Sequence, residues 1–191
     1  MPFNLPIALT WLRVAAIPLV VVVFYLPSGW LSPFEKNLTA TIIFVLAAVT
    51  DWLDGFLARR MNQESAFGQF LDPVADKLIV AASLLVLLNL DRVQVWVALI
   101  IIGREITISA LREWMALLGA GKSVAVHMVG KLKTTAQLIA IPFLLLNDTL
   151  FGWLNCAQLG TWLIWIASFL TLWSMFYYLK KALPQLVNQS K

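Results

Sequence analysis

The sequence predicts an all-α integral membrane protein, a bundle of about six transmembrane helices in a single domain across residues 1–191. Hydrophobic residues make up 61% of the chain and charged residues only 13%. The mean hydropathy of +0.84 is well above that of soluble domains. Six segments are long and apolar enough to cross a bilayer, which takes ~20 helical residues. These segments are residues 9–26, 38–59, 67–90, 93–118, 129–146 and 154–179.

Short polar connections separate the six segments. They contain proline, glycine, asparagine or aspartate, which favour turns, and they lie around residues 27–29, 62–63, 89–92, 119–121 and 147–148. Because the connections are short, we expect helices that follow one another in sequence to pack as neighbours. The amino-terminal segment "MPFNLPIALTW", before Arg13, is compatible with a short amphipathic helix at the membrane interface.

Basic residues predict the orientation of the bundle, because cytoplasmic loops are enriched in lysine and arginine. Alternate connections divide these residues unequally between two sides. The richer side holds the amino terminus, Arg59, Arg60, Lys122, Lys131, Lys133, Lys180, Lys181 and Lys191, and the poorer side holds Lys36 and Arg92. The distribution predicts a multi-pass protein with both termini in the cytoplasm.

Composition also excludes several classes of function. A single cysteine, Cys156, rules out an internal disulfide framework and a zinc site built from several thiolates. The net charge of +4 arises from scattered basic residues and not from a stripe interleaved with aromatic side chains. We therefore expect anionic membrane lipids, and not nucleic acid, as the partners of these residues.

Four aspartates are concentrated in "TDWLDGFLARRMNQESAFGQFLDPVADK", residues 50–77. Ionisable residues inside membrane spans are costly and usually mark a functional site. Asp51 and Asp54 are three residues apart, and Asp72 and Asp76 are four apart, so each pair shares one helix face. The intervening turn makes the two helices antiparallel. We expect all four carboxylates to meet near the cytoplasmic ends of these helices.

Four neighbouring carboxylates need a counter-charge in a low dielectric. Oxygen ligands without cysteine or histidine favour a hard cation such as Mg²⁺, Mn²⁺ or Ca²⁺, and four carboxylates can hold two ions. Metal clusters of this kind commonly bind phosphates. The sequence therefore predicts a metal site that handles phosphorylated substrates.

Small and basic residues accompany the aspartates. Gly55, Ala58 and Gly68 leave room for a base or sugar to approach the helix backbone, and Arg59 is suited to pairing with a phosphate. Simpler interpretations also exist. Small residues often serve helix packing, aspartates near span ends can be interfacial, and Arg59 could serve only as a topology anchor.

Taken together, these residues form a recognisable pattern. The arrangement Asp51-x2-Asp54-Gly55-x2-Ala58-Arg59-x8-Gly68-x3-Asp72-x3-Asp76 resembles the signature of the CDP-alcohol phosphatidyltransferases. The resemblance implies a Mg²⁺- or Mn²⁺-dependent reaction, with two ions per site, in which an acceptor hydroxyl attacks the lipid-side phosphorus of CDP-diacylglycerol and CMP leaves. It also implies a homodimer in the bacterial cytoplasmic (inner) membrane, with the active site on the cytoplasmic side.

The same resemblance implies roles for individual residues. The four aspartates would be the metal ligands, and Asp76 would also be the catalytic base. The CDP-lipid would bind against Asp54, Gly55, Ala58, Arg59 and Gly68.

A second group of charged residues bears on the acceptor. Arg104 and Arg112 are eight residues apart, close to one helix face, and Lys131 and Lys133 begin the next segment. Such a cationic pocket predicts an anionic acceptor, and sn-glycerol 3-phosphate is the natural candidate. The blocks "SALREWMA" and "GKLKTTAQ" are similar to bacterial members of the family. Glu105 and Glu113 each follow an arginine in the sequence, but adjacent residues on a helix do not face each other, so they do not automatically neutralise the pocket.

Other interpretations remain open from sequence. Relatives with the same signature use other acceptors, giving cardiolipin, phosphatidylinositol phosphate or phosphatidylserine. Arg104 could instead pair with an aspartate, and the lysines could reach out to the interface. A small cation transporter could also contain intramembrane aspartates, although its site would be expected near the bilayer midplane.

Overall fold

The computed structural model describes residues 5–61, 66–117, 128–150 and 152–189. Within these ranges, it describes side chains for residues 8–51, 53, 68, 70–115, 117, 132–150, 152–177, 179 and 180. The described part of the chain is mostly helical, as the sequence predicts. Its helices are α1 (Leu5–Tyr25), α2 (Pro33–Met61), α3 (Ala66–Asn89), α4 (Val95–Leu117), α5 (Met128–Leu146) and α6 (Cys156–Gln189). A short antiparallel hairpin, β1 (Thr149–Leu150) and β2 (Leu154–Asn155), joins α5 to α6.

Local sequence explains several helix boundaries. The amide and hydroxyl of Ser32 both donate to Glu35 Oε2 at 2.7 Å, and the amide of Glu35 donates to Ser32 Oγ at 3.3 Å. This capping box starts α2 at Pro33, five residues before the predicted start. The chain reverses after α3 and α5 at Asp91 (φ 54°) and Asn147 (φ 49°), residue types that tolerate the left-handed region.

The structure changes two details inferred from the sequence, the start of α1 and the position of Pro73. Leu5 to Trp11 belong to the same continuous helix as the apolar span that follows, so residues 5–25 form no separate interfacial helix. Pro73, whose position from sequence could either open or interrupt a helix, lies inside α3.

The helices pack in an order that the connections alone do not give. Helix α1 packs against α2 and α3, while α5 packs most extensively against α6 and also contacts α2. Within the described ranges, α4 and α5 make no close backbone contact, and both pack against α6 instead. Consecutive helices therefore need not pack backbone to backbone, and this pair meets through the side chains of Glu105 and Lys133. The long apolar α6 offers a face to each of them.

A close approach between α5 and α6 depends on Gly160. A Cβ atom at this position would lie 2.7 Å from Leu144 Cγ and 3.1 Å from the backbone nitrogen of Leu144. Large buried side chains, including Phe44, Leu84 and Ile101, fill the core between helices. Dense packing of this kind holds the polar side chains described below in place.

Basic side chains tie the helices together at one end of the bundle. Arg92 Nη1 donates to the carbonyls of Leu144 (3.1 Å) and Leu145 (2.7 Å), and its Nη2 donates to Asn37 Oδ1 at 2.9 Å. Lys36 Nζ donates to the carbonyl of Leu26 at 2.5 Å. Burial lowers the pKa of Arg92, but an arginine remains protonated at neutral pH.

Hydropathy of the described helices supports membrane association. Ala8–Tyr25 and Cys156–Tyr177 are long and apolar enough to cross a membrane, and Leu132–Leu146 is a shorter apolar segment. Large apolar side chains remain exposed along α6, including Trp162, Phe169 and Phe176. An all-α, membrane-associated protein is thus supported by the fold.

Candidate active site

Three helices meet around the guanidinium group of Arg13. Its Nη1 atom lies 2.9 Å from Asp51 Oδ1 of α2 and 2.5 Å from Asp76 Oδ1 of α3. The Arg13 side chain is 1% exposed, whereas those of Asp51 and Asp76 are 45% and 44% exposed. The buried arginine therefore approaches two carboxylates whose other sides remain accessible.

A second contact fixes α1 against α3. Thr10 Oγ1 donates to Asp72 Oδ1 at 2.7 Å. Thr10 and Arg13 are one helical turn apart, as are Asp72 and Asp76, so each pair shares a face. The predicted face-sharing of Asp72 and Asp76 thus corresponds to one contact surface with α1.

The positions of Asp51 and Asp76 suit a cation. Oxygen atoms from two different helices lie within 2.9 Å of one positively charged nitrogen, so the fold already brings them together around positive charge. Carboxylate oxygens are ligands for hard divalent ions. Among the side chains that the structure describes, no three acidic, histidine or cysteine residues form a metal-binding group. Asp54, the remaining predicted ligand, lies outside the described side chains.

A cavity of about 270 Å³ joins this cluster to the opposite wall of the bundle. Polar residues from five helices line it together with apolar side chains of α2, α3 and α5. The polar lining residues are Arg13, Asp51, Asp76, Lys77, Glu105, Thr134 and Gln137. Gln137 is 4% exposed, and its amide nitrogen has no hydrogen-bond partner in the described structure. It can donate to a polar ligand in the cavity.

Across the cavity, one carboxylate joins two buried cations. Glu105 Oε1 accepts from Lys133 Nζ and, at 3.0 Å, from Arg104 Nη1. Arg104 Nη2 also lies 3.5 Å from Ser174 Oγ of α6. Glu105 therefore compensates positive charge in this pocket, although adjacent residues on a helix do not face each other. The long arginine side chain folds back to its neighbour, and Lys133 reaches the same carboxylate from α5.

The remaining predicted acceptor residues are only partly described. Arg112 is exposed on α4 and is close enough to Lys133 for their charges to repel. Arg104 forms an ion pair with Glu105. The side chain of Lys131 lies outside the described residues.

The predicted CDP-lipid residues are described least. Gly68 is half-buried near the start of α3. Asp54, Gly55, Ala58 and Arg59 belong to α2, but their side chains lie outside the described part of the chain. Their roles stay predictions.

Sequence reasoning missed several residues that the fold brings to the site. Arg13 is the only charge within the first apolar segment, and an ionisable residue in a span is itself a signal of function. Lys77 and Glu105 are also ionisable residues within predicted spans, whereas Thr10 gave no comparable signal. Their positions depend on contacts between helices distant in sequence.

Comparisons with known proteins agree with the resemblance in the sequence. Residues 3–173 match the family model described as CDP-alcohol phosphatidyltransferase. The chain is 52% identical over 192 residues to the CDP-diacylglycerol–glycerol-3-phosphate 3-phosphatidyltransferase of Escherichia coli (strain K12), covering 99% of this chain and 100% of that protein. The protein of the same description from Shigella sonnei (strain Ss046) shows the same identity and coverage.

Proposed function

The chain belongs to the CDP-alcohol phosphatidyltransferase family, and we propose that it transfers the phosphatidyl group of CDP-diacylglycerol to sn-glycerol 3-phosphate. The products are phosphatidylglycerophosphate and CMP. Relatives named for this reaction are 52% identical to the chain over almost its whole length. The structural observation that carries the proposal is a single cavity with two family-signature aspartates on one wall and Glu105, in contact with two buried cations, on another.

The transfer requires one bond to form and one to break. The acceptor hydroxyl oxygen bonds to the lipid-side phosphorus of CDP-diacylglycerol, while the bond from this phosphorus to the oxygen of CMP breaks. CMP leaves with the electron pair. Asp76, on the cavity wall, accepts the hydroxyl proton as general base. Arg13 is a positioning residue in this scheme, because it contacts Asp76 and Asp51 from a buried position.

We expect Asp51, Asp54, Asp72 and Asp76 to hold one or two divalent ions, Mg²⁺ or Mn²⁺. When bound, such ions neutralise charge that develops on the phosphate oxygens. The contacts of Arg13 support this assignment, since they bring carboxylate oxygens of α2 and α3 around one positive charge. The donor types also suit a hard cation.

The acceptor is assigned from the positive charge near Glu105, across the cavity from the aspartates. Arg104, Lys133 and Arg112 provide the positive charge for the phosphate of sn-glycerol 3-phosphate, and Lys131 belongs to the same predicted set. A planar guanidinium and a lysine ammonium are both suited to phosphate oxygens. A neutral acceptor would make no use of this charge.

We further propose that all six helices cross the bacterial cytoplasmic membrane, with both termini and the cavity on the cytoplasmic side. The exposed apolar side chains of α6 would face lipid, and two copies would associate as a homodimer. Cysteine labelling from each side of sealed vesicles tests the topology. Cross-linking in native membranes tests the association.

Release of CMP by purified protein tests the proposed reaction. CDP-diacylglycerol would be offered with sn-glycerol 3-phosphate, inositol 1-phosphate, phosphatidylglycerol or serine, each with Mg²⁺, with Mn²⁺ and with a chelator. We expect metal-dependent release with sn-glycerol 3-phosphate. Release with another acceptor but not with this one would contradict the acceptor, and release in the chelator would contradict the role of metal.

A further inference from the structure

Glu105 lies between the cavity and the cations that are expected to bind phosphate. Its side chain is 24% exposed, whereas those of Arg104 and Lys133 are 7% and 2% exposed. Glu105 is among the residues that line the cavity, and the two cations are not. A phosphate entering the cavity therefore meets a carboxylate before it can reach Lys133 or Arg104.

A phosphate and the Glu105 carboxylate cannot both occupy the same position against these cations. The like charges would repel, and the carboxylate oxygen already accepts from both Lys133 Nζ and Arg104 Nη1. Binding thus requires Glu105 to move aside. Exchange of one anion for another keeps the buried cations compensated, whereas loss of the Glu105 carboxylate without a replacement would be costly.

The cavity offers the displaced carboxylate another partner. Lys77 of α3 lines the same cavity as Glu105 and carries the opposite charge. A glutamate side chain has three rotatable bonds, so its carboxylate can turn while the α4 backbone remains in place. Glu105 therefore has a cation to approach in each of two positions.

We propose that Glu105 is an exchangeable counter-ion, which an acceptor phosphate displaces from Lys133 and Arg104 and which then turns toward Lys77. This makes Glu105 a specificity-determining residue, because only an acceptor carrying its own anion can take its place. A neutral polyol that displaced Glu105 would bring no negative charge to replace it. The inference rests on the proposed function, since it concerns the acceptor pocket of that reaction.

Thermal unfolding with inorganic phosphate tests the exchange without catalysis. In Glu105→Gln, no carboxylate competes with phosphate. We expect this variant to unfold at a lower temperature than the wild type without phosphate and to gain more stability when phosphate is added. Its affinity for phosphate should rise about 10-fold or more, because the competing carboxylate is gone. Mass action converts the size of the stability gain into this affinity.

Glu113→Gln is the matched control. Glu113 follows Arg112 on α4 as Glu105 follows Arg104, but it is exposed and does not line the cavity. Its phosphate response should equal that of the wild type. If Glu105→Gln does not fold, Glu105→Asp, whose side chain is one methylene shorter, is also expected to bind phosphate more tightly than the wild type.

A double-mutant cycle with Lys77→Met tests whether the displaced Glu105 carboxylate turns toward Lys77. It distinguishes this movement from the simple loss of the Glu105 charge. Lys77→Met should weaken phosphate binding when Glu105 is present, because the displaced carboxylate loses its second partner. In the Glu105→Gln background, the same change should have a smaller effect, a coupling that independent sites do not show. Fully additive effects would overturn the movement toward Lys77.

Equal or weaker phosphate binding by the Glu105 variants would overturn the inference. The reaction is assayed separately with wild-type protein. CMP release with sn-glycerol 3-phosphate, combined with unchanged phosphate binding by Glu105→Gln, would overturn the exchange and leave the proposed function intact. Tighter phosphate binding by the variant without CMP release in the wild type would support exchange and overturn the proposed function.

Discussion

Charged side chains at the two ends of the bundle have different kinds of partner. At the cavity end, defined by Arg13, Asp51, Asp76, Glu105 and Lys133, cations pair with carboxylates. At the opposite, capped end, the side chains of Lys36 and Arg92 donate to backbone carbonyls and Glu35 accepts from Ser32. Both ends contain basic residues, and those of the first end lie beside the cavity.

Charged groups at the cavity end can exchange partners with ligands, whereas those at the capped end stabilise the structure. Backbone carbonyls at the end of α5 are fixed by the helix and would have no partner in the helix if Arg92 withdrew. Carboxylates at the cavity end are partly exposed, so a metal ion can approach the open sides of Asp51 and Asp76, and a phosphate can take the place of Glu105. Substitutions at the cavity end should therefore change ligand binding, and those at the capped end should change stability alone.

The largest effect is expected from Asp76→Asn, which removes the proposed base. General bases contribute about 10²- to 10⁴-fold to rate, so kcat should fall within this range when CMP release is measured with both substrates saturating. Asp91→Asn is the control at the capped end, because asparagine tolerates the φ of 54° found there. Full turnover by Asp76→Asn, with none by Asp51→Asn, would transfer the base role to Asp51.

Arg13→Gln should make the stability of the protein depend more strongly on added metal. Without metal, it leaves Asp51 and Asp76 near each other with no buried cation between them. We expect a loss of about 1–3 kcal/mol, less than the ~3–5 kcal/mol of a fully buried pair, because both carboxylates are nearly half exposed. Thermal unfolding in chelator and in Mg²⁺ should show a larger metal-induced gain than in the wild type.

Lys36→Gln removes the same charge at the capped end and controls for that experiment. Its response to Mg²⁺ should match the wild type. An equal Mg²⁺ response in Arg13→Gln and the wild type would contradict the view that Arg13 compensates the charge of a metal site.

Arg92→Met should lower stability without affecting ligands. The variant loses hydrogen bonds to the last turn of α5 and to Asn37, and a cation at a helix carboxyl terminus contributes up to about 2 kcal/mol. Thermal unfolding should detect the loss, while the KM for sn-glycerol 3-phosphate stays unchanged. A selective change in that KM would show that the capped end communicates with the cavity.

The smallest effect is expected from Glu35→Gln, measured as unfolding temperature against pH. Hydrogen bonds from the Ser32 amide and then its hydroxyl lower the pKa of Glu35. A carboxylate whose pKa is lowered in the folded state stabilises the protein at pH values above the ordinary glutamate pKa. This stabilisation is lost as the pH falls through the folded-state pKa. The advantage of the wild type should therefore shrink in acid. An advantage that grew in acid would contradict the capping box.

Much of the fold could be predicted because apolar length and turn chemistry are local properties. All six predicted apolar segments correspond to helices, although Ser32 and Glu35 start α2 earlier than hydropathy indicated. Neighbour relations could not be predicted in the same way. Within the described ranges, the α4 backbone packs against α6, while α4 meets its successor α5 through the side-chain contact between Glu105 and Lys133. The best complementary surface need not belong to the next helix.

The sequence by itself determined the family signature, the face shared by Asp72 and Asp76, and the excess of cations in the acceptor blocks. These follow from residue identity and helical spacing, which are set along the chain. Only the tertiary structure decided that Arg13 meets Asp76 across 63 positions and that Lys133 meets Glu105 across 28. Such pairs depend on which helix surfaces become neighbours when apolar area is buried, and packing of the whole bundle sets that choice.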